Sequence, residues 1–131
     1  MATKLDTLPI RVDFTCYRGD DWTRAFEVVT PSGPLDMTGW TGIMQVRDHV
    51  DGPVRVAASS ANGRITTGPQ SNSNGRTWQL LVYLTHGDTA KLPPGFVGRY
   101  DIELTKPDGN KQSFYFGEFR VEGDISKGGG S

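Results

Sequence analysis

The chain has 131 residues, enough for one domain that buries about two thirds of the surface its unfolded chain exposes. Hydrophobic residues make up 35%, aromatics 10% and charged residues 22%, while 17 glycines and 8 prolines point to a turn-rich β structure rather than a helical one. A formal charge of −1 offers no basic field to phosphate backbones or anionic lipid, so neither nucleic acid nor a membrane is an expected partner.

A single cysteine excludes an intrachain disulfide and any multi-cysteine metal cluster. The N-terminus MATKLDTLPI shows no charged segment followed by an apolar run, and no stretch approaches the roughly 20 apolar residues of a membrane span. The expectation is a soluble protein made in a cytosol and stabilised by packing alone.

Ile10, Val12, Phe14 and Cys16 alternate with Arg11, Asp13, Thr15 and Tyr17, the period of a half-buried strand. After the polar break RGDD, Arg18 to Asp21, the segment AFEVV forms a second strand that ends at the turn PSGP, Pro31 to Pro34, and a hairpin is expected. LDMTGW bends at Gly39 and leads into TGIMQVRD, where Trp40, Met44 and Val46 share one face. PVRVAAS and ITTG are short strands, and Pro69 to Thr77 is a polar loop without an apolar anchor. In TWQLLVYLT, Trp78, Leu80, Val82 and Leu84 face inward, yet Leu81 and Tyr83 on the opposite face are also large and apolar.

HGDTAKL is the one helical candidate, capped by Asp88 or Thr89 and stopped by Pro93-Pro94-Gly95. In the closing hairpin Tyr100, Ile102 and Leu104 alternate with Arg99, Asp101 and Glu103, and KPDGN supplies the turn. Phe114 and Phe116 share one parity and Phe119 and Val121 the other, which predicts a β-bulge at Gly117. The fold expected is all-β, an antiparallel immunoglobulin-like sandwich of seven to nine strands. An N-terminal arm spans 1–9, the sandwich 10–126 and a flexible Gly-rich tail 127–131. Its core is expected to hold Phe14, Trp40, Met44, Trp78, Leu80, Val82, Tyr100, Ile102, Leu104, Phe116 and Phe119.

Residues for catalysis are scarce. An activated nucleophile needs a base and an orienting group, and His49 and His86 both stand in turn contexts that suit exposed loop residues. Cys16 follows the apolar parity of its strand and reads as a small buried hydrophobe. Asp101 and Glu103 share a strand face with Arg99, as a solvated, charge-balanced surface would. Asp20-Asp21 and Asp48 with Asp51 lack calcium-loop spacing, and no glycine pattern cradles a phosphate. No catalytic, cofactor-binding or metal-ligating residue is expected. A carbohydrate-binding module would display Trp22 or Tyr17 flat on a concave face; Trp40 and Trp78 are in phase with the core, and Trp22 follows a turn that leaves it free to go either way.

Three stretches carry a resemblance. Arg18-Gly19-Asp20, then Gly33-Pro34-Leu35-Asp36-Met37-Thr38-Gly39, then Met44-Gln45-Val46-Arg47 resemble the start of a β-sandwich domain of tailed-bacteriophage virion proteins, such as the N-terminal domain of baseplate upper proteins. The closing YDIEL, DG and V-x-GDI look like the end of that domain. The resemblance implies a non-enzymatic virion component, located in the tail, baseplate, connector or capsid surface, whose partners are other virion proteins and copies of itself. The length suits a stand-alone component made in the bacterial host cytoplasm. Leu81 and Tyr83 are the expected interface, together with the loop Pro69 to Thr77 and the arm Met1 to Leu8, all covered by neighbouring chains. A carbohydrate-binding module is the alternative.

Overall fold

The computed structural model describes residues 3–71 and 77–123. Twelve strands occur there, several of them only two or three residues long. They are β1 (Thr3–Lys4), β2 (Ile10–Arg11), β3 (Phe14–Tyr17), β4 (Trp22–Phe26), β5 (Val28–Thr30), β6 (Gly33–Pro34), β7 (Thr41–Arg47), β8 (Val54–Ser59), β9 (Ile65–Ser71), β10 (Thr77–Leu84), β11 (Val97–Thr105) and β12 (Lys111–Glu122). A short helix, α1, covers His86–Thr89, and one 3-10 turn covers Leu5–Thr7.

The chain is an all-β sandwich. A six-stranded sheet runs β2-β12-β11-β7-β8, with β3 also pairing β12, and packs against the three-stranded sheet β4-β10-β9; a small third sheet, β1-β5-β6, closes one end. The sheets are mixed rather than wholly antiparallel: β12 pairs β2 and β3 in parallel, and β1 pairs β5 in parallel. The strand count exceeds seven to nine because two expected strands are each broken in two, and because the arm and the PSGP turn each contribute a further two-residue strand, β1 and β6. At Val12–Asp13 the first strand leaves the ladder, and at Glu27 the second passes from one sheet to another. The PSGP turn does close a hairpin, β5 with β6.

The core lies between the two larger sheets, where Met44, Val46, Leu80, Val82, Leu84, Ile102, Leu104 and Phe119 are fully buried. Aromatic edges bind the layers: Trp22 of β4 meets Phe14 at 5.0 Å and Phe119 of β12 at 5.4 Å, both edge-on. Trp40 is half-buried and packs against the core from outside, and Trp78 is likewise only half-buried.

The bulge in β12 falls at Phe114 and not at Gly117. Ile102 pairs with Tyr115 but Glu103 pairs with Ser113, so Phe114 is the extra residue. Two consecutive aromatics are thereby buried, Phe114 edge-on to Trp40 at 6.1 Å and Tyr115 stacked on Phe26 at 4.3 Å. From Tyr115 onward the odd positions face inward, which turns Phe116 out to solvent at 39% exposure and removes it from the core. Gly117 has a different duty: a Cβ there would stand 2.5 Å from the Val12 carbonyl oxygen, so the absent side chain lets the first strand approach.

The arm is held by its own chain rather than left without anchors. Thr3 and Lys4 pair with Val28 and Val29, the Tyr115 hydroxyl donates to Thr3 Oγ1 at 3.1 Å, and Leu5 and Leu8 pack on the core. The α1 cap is Thr85, one turn earlier than expected. Its hydroxyl accepts from the Asp88 amide at 3.1 Å while the Asp88 carboxylate accepts from the Thr85 amide at 3.0 Å, a reciprocal capping box. The Gly-rich tail and most of the Pro69 to Thr77 loop lie outside the described residues.

Candidate functional site

The motifs that carry the resemblance are used up in holding the scaffold. In the Arg18-Gly19-Asp20 step, Gly19 has φ +87° and donates its amide to Thr89 Oγ1 at 3.1 Å, the Thr89 hydroxyl lies 2.8 Å from the Asp20 carbonyl oxygen, and Arg18 Nε donates to the Leu92 carbonyl at 3.0 Å. The polar step is thus a clasp onto α1. In the following bend Met37 is fully buried, and the Thr38 amide and hydroxyl both donate to Asp36 Oδ1, at 2.9 and 2.6 Å.

The residues weighed for chemistry are dispersed. His49 is exposed, its Nδ1 2.9 Å from the carbonyl oxygen of Val50, and the exposed His86 ring sits 3.2 Å from Asp21 Oδ1, the atom that also accepts from the His86 amide at 2.6 Å. That amide bond leads the effects holding the Asp21 carboxyl below its ordinary range. Cys16 is buried, and desolvation pushes its thiol up to about 11, far from the thiolate that nucleophilic chemistry needs. Among the described residues no three His, Cys, Asp or Glu side chains group to hold a metal ion. Trp22 is 4% exposed and Tyr17 41%, so the two aromatics of the proposed sugar platform do not lie together on a surface.

Two outer faces remain. On the smaller sheet Leu80, Val82 and Leu84 point inward, so Leu81 and Tyr83 of β10 point outward, half-buried, beside Ala25 and Thr23 of β4. The Tyr83 hydroxyl reaches Asp21. The pair expected to form an interface is therefore on an outer surface, as its parity requires.

The second face, on the six-stranded sheet, was not anticipated. Among the described residues the large apolar side chains left exposed are Tyr17, Ile43, Val50, Val54, Val97 and Phe116. All but Tyr17 stand on or beside this face, since Gly42, Met44 and Val46 of β7, Gly98, Tyr100 and Ile102 of β11, and Gly117 and Phe119 of β12 all point inward. A groove of about 460 Å³ runs through it, lined by Gln45, Arg47, Val50, Asp51, Arg99, Asp101 and Phe116 among others.

Arg99 stands directly opposite Arg47 in the β7–β11 ladder and directly opposite Glu118 in the β11–β12 ladder, so the like-charge juxtaposition on one side is offset by a carboxylate on the other. Arg47 is clamped by the Gly52 carbonyl and by Gln45 Oε1, both at 2.6 Å. Partial desolvation in the groove pushes the Asp101 carboxyl up, against the pull of Arg47. The alternation of Arg99, Asp101 and Glu103 is visible in the sequence. Their assembly with Phe116 and Val50 depends on the bulge and on the β7–β8 turn.

The class defined by these features is a small all-β sandwich with large apolar side chains on two outward faces, one of which also carries Arg47, Arg99 and Asp101. No family model matches the chain, and no curated protein matches it significantly.

Proposed function

We propose that this chain is a non-enzymatic structural component of a tailed-bacteriophage virion, in the tail, baseplate, connector or capsid surface, working through contacts with other virion proteins and with copies of itself. The observation that carries the reading is the placement of Leu81 and Tyr83 side by side on the outer face of the smaller sheet. Two large apolar groups in that position gain most from a partner that removes them from water. The dispersal of His49, His86 and Cys16 supports a role in assembly over one in turnover, and the burial of Trp22 weighs against the carbohydrate-binding alternative.

The test is to locate the chain in purified particles by mass spectrometry and electron microscopy, with wild-type protein and a Leu81→Ser/Tyr83→Ser variant supplied in parallel. The expected result is wild-type protein in the particle and a folded variant left out of it. Absence of the wild-type chain from particles, or normal incorporation of the variant, overturns the proposal. His49→Ala combined with His86→Ala is expected to leave both folding and incorporation intact.

A further inference from the structure

We propose that residues 3–8 form a strap that shuts the sheet edge of β5, and that this strap opens as a unit while the sandwich beneath it stays folded. The inference does not rest on the virion reading and uses neither outer face.

The first argument is the edge that the strap covers. β5 is bonded differently on its two sides. On one side the Val28 amide donates to Oε1 of the buried Gln79 at 2.7 Å, and the Val28 carbonyl accepts from the Leu35 amide at 2.9 Å. On the other side the Glu27 carbonyl accepts from the Thr3 amide at 2.6 Å, and Thr3 and Lys4 of β1 pair in parallel with Val28 and Val29. Amides of successive residues in a strand point to opposite sides, so the Val29 amide faces the strap. In the order β1-β5-β6, β1 is the strand on that side among the described residues. Without it, β5 itself would be the edge, and edges of that kind template pairing with other chains.

The second argument is how little holds the strap. Its ladder is two residues long, whereas every residue of β11 pairs with β12. The 3-10 turn Leu5–Thr7 contains no buried residue, Leu5 and Leu8 are half-buried against the core, and Lys4, Asp6, Thr7 and Pro9 are exposed. A groove of about 450 Å³ remains between the two segments, lined by Lys4, Leu5 and Asp6 of the strap and by Val29, Thr30 and Pro31. Two of the strap's hydrogen bonds are internal and survive its release: the Thr7 hydroxyl donates to the Lys4 carbonyl at 2.7 Å and the Leu8 amide to the Leu5 carbonyl at 3.3 Å. Opening breaks the short ladder, the Tyr115 hydroxyl bond to Thr3 Oγ1 at 3.1 Å and the partial burial of two leucines. Segments held this lightly lie at the low end of local stability.

The third argument is where the opening stops. Ile10 and Arg11 pair with Tyr115 and Phe116 of β12, and the Val12 amide donates to the Phe116 carbonyl at 2.9 Å. The Tyr115 ring is stacked on Phe26 at 4.3 Å. The floor under the strap and the strand that follows it are therefore fixed by contacts the strap does not supply, which places the hinge between Leu8 and Ile10.

The experiment is amide hydrogen exchange of the full chain, resolved by residue with NMR and corrected for intrinsic rates. β7 and β11 are flanked by strands on both sides, so Met44 and Ile102 report the sandwich. The Val29 amide is expected to exchange at least about a hundredfold faster than those two, while the Val28 amide, bonded to Gln79, stays protected. Tyr115→Phe keeps the ring and removes one tie, and should speed Val29 by about threefold to tenfold without moving Val28, Met44 or Ile102. Leu5→Ser combined with Leu8→Ser removes the apolar grip and adds no apolar surface. It should speed Val29 further, and sedimentation velocity at rising concentration should show more self-association than in the wild type. Val29 exchanging as slowly as Met44 and Ile102, Val28 exchanging together with Val29, or variants that speed the sandwich amides equally would overturn the opening of the strap as a unit. A double variant with fast Val29 exchange and no gain in association would overturn its guarding of the β5 edge.

Discussion

Tyr100 of β11 donates its phenolic hydrogen to the carbonyl oxygen of Val12 at 2.5 Å, joining residues 88 apart in the chain. Val12 lies between β2 and β3, where the first strand leaves the β12 ladder, so this bond takes up a carbonyl at the break. Burial pushes the Tyr100 phenol well above its ordinary range, and it acts as a neutral donor at any working pH. Tyr100→Phe keeps the ring and strands the carbonyl. It is expected to cost about 1–3 kcal/mol, read from the urea midpoint of unfolding.

The same carbonyl explains Gly117. A Cβ at this position would meet Val12 O at 2.5 Å and Asp13 Oδ1 at 2.7 Å, and both atoms belong to the segment that must pass close by. Gly117→Ala should therefore destabilise by about 1–3 kcal/mol. Gly87→Ala in α1, where the nearest atom is Thr85 Oγ1 at 3.6 Å, should instead stabilise by about 0.4–1 kcal/mol through the unfolded state. Equal effects on the thermal midpoint would count against the close approach of the first strand to β12.

The register of β12 is open to a direct comparison. Ile102 and Leu80 are fully buried, and replacing either by Ala should cost about 2–5 kcal/mol. Phe116→Ser, on the outer side of the bulge, should cost less than about 1 kcal/mol in the monomer. If Phe116→Ser were as damaging as Ile102→Ala, the bulge would have to lie at Gly117 after all.

Acid should loosen the α1 capping box. Burial raises the Asp88 carboxyl, but the Thr85 amide and hydroxyl and the Arg64 guanidinium, 2.9 Å from Oδ2, outweigh it and hold the group below its ordinary value. A depressed carboxyl contributes stability that is complete above its unfolded value near ~4 and disappears as the pH falls through the lower folded value. Melting temperature should therefore drop more steeply below about pH 4 in the wild type than in Asp88→Asn, which has already lost the charge. Parallel curves for the two proteins would show that Asp88 is not part of the acid response.

Much of the sandwich was legible because its signals are local. A period of two in β7 and β11, an Asp-Gly turn, and the Leu35 to Gly39 bend each involve residues a few positions apart, and each occurs where the pattern placed it. The outward parity of Leu81 and Tyr83 was legible for the same reason. The groove was not, because it joins β7, β11, β12 and the turn after β7.

The alternation of apolar and polar positions and the turn residues are enough to dictate an all-β sandwich with Met44, Leu80, Val82, Ile102 and Leu104 inside. Tertiary structure alone decided that Phe114 bulges, that Phe116 faces out, that β2 and β3 run parallel to β12, and that the arm pairs with β5. The aromatic run Phe114-Tyr115-Phe116 is compatible with a slip on either side of it. The choice was made by distant partners: Trp40 and Phe26 pack on Phe114 and Tyr115, and the Val12 carbonyl needs the space that only a glycine at 117 leaves. Local pattern specifies which residues seek burial, and only packing against the rest of the chain specifies which of two adjacent aromatics obtains it.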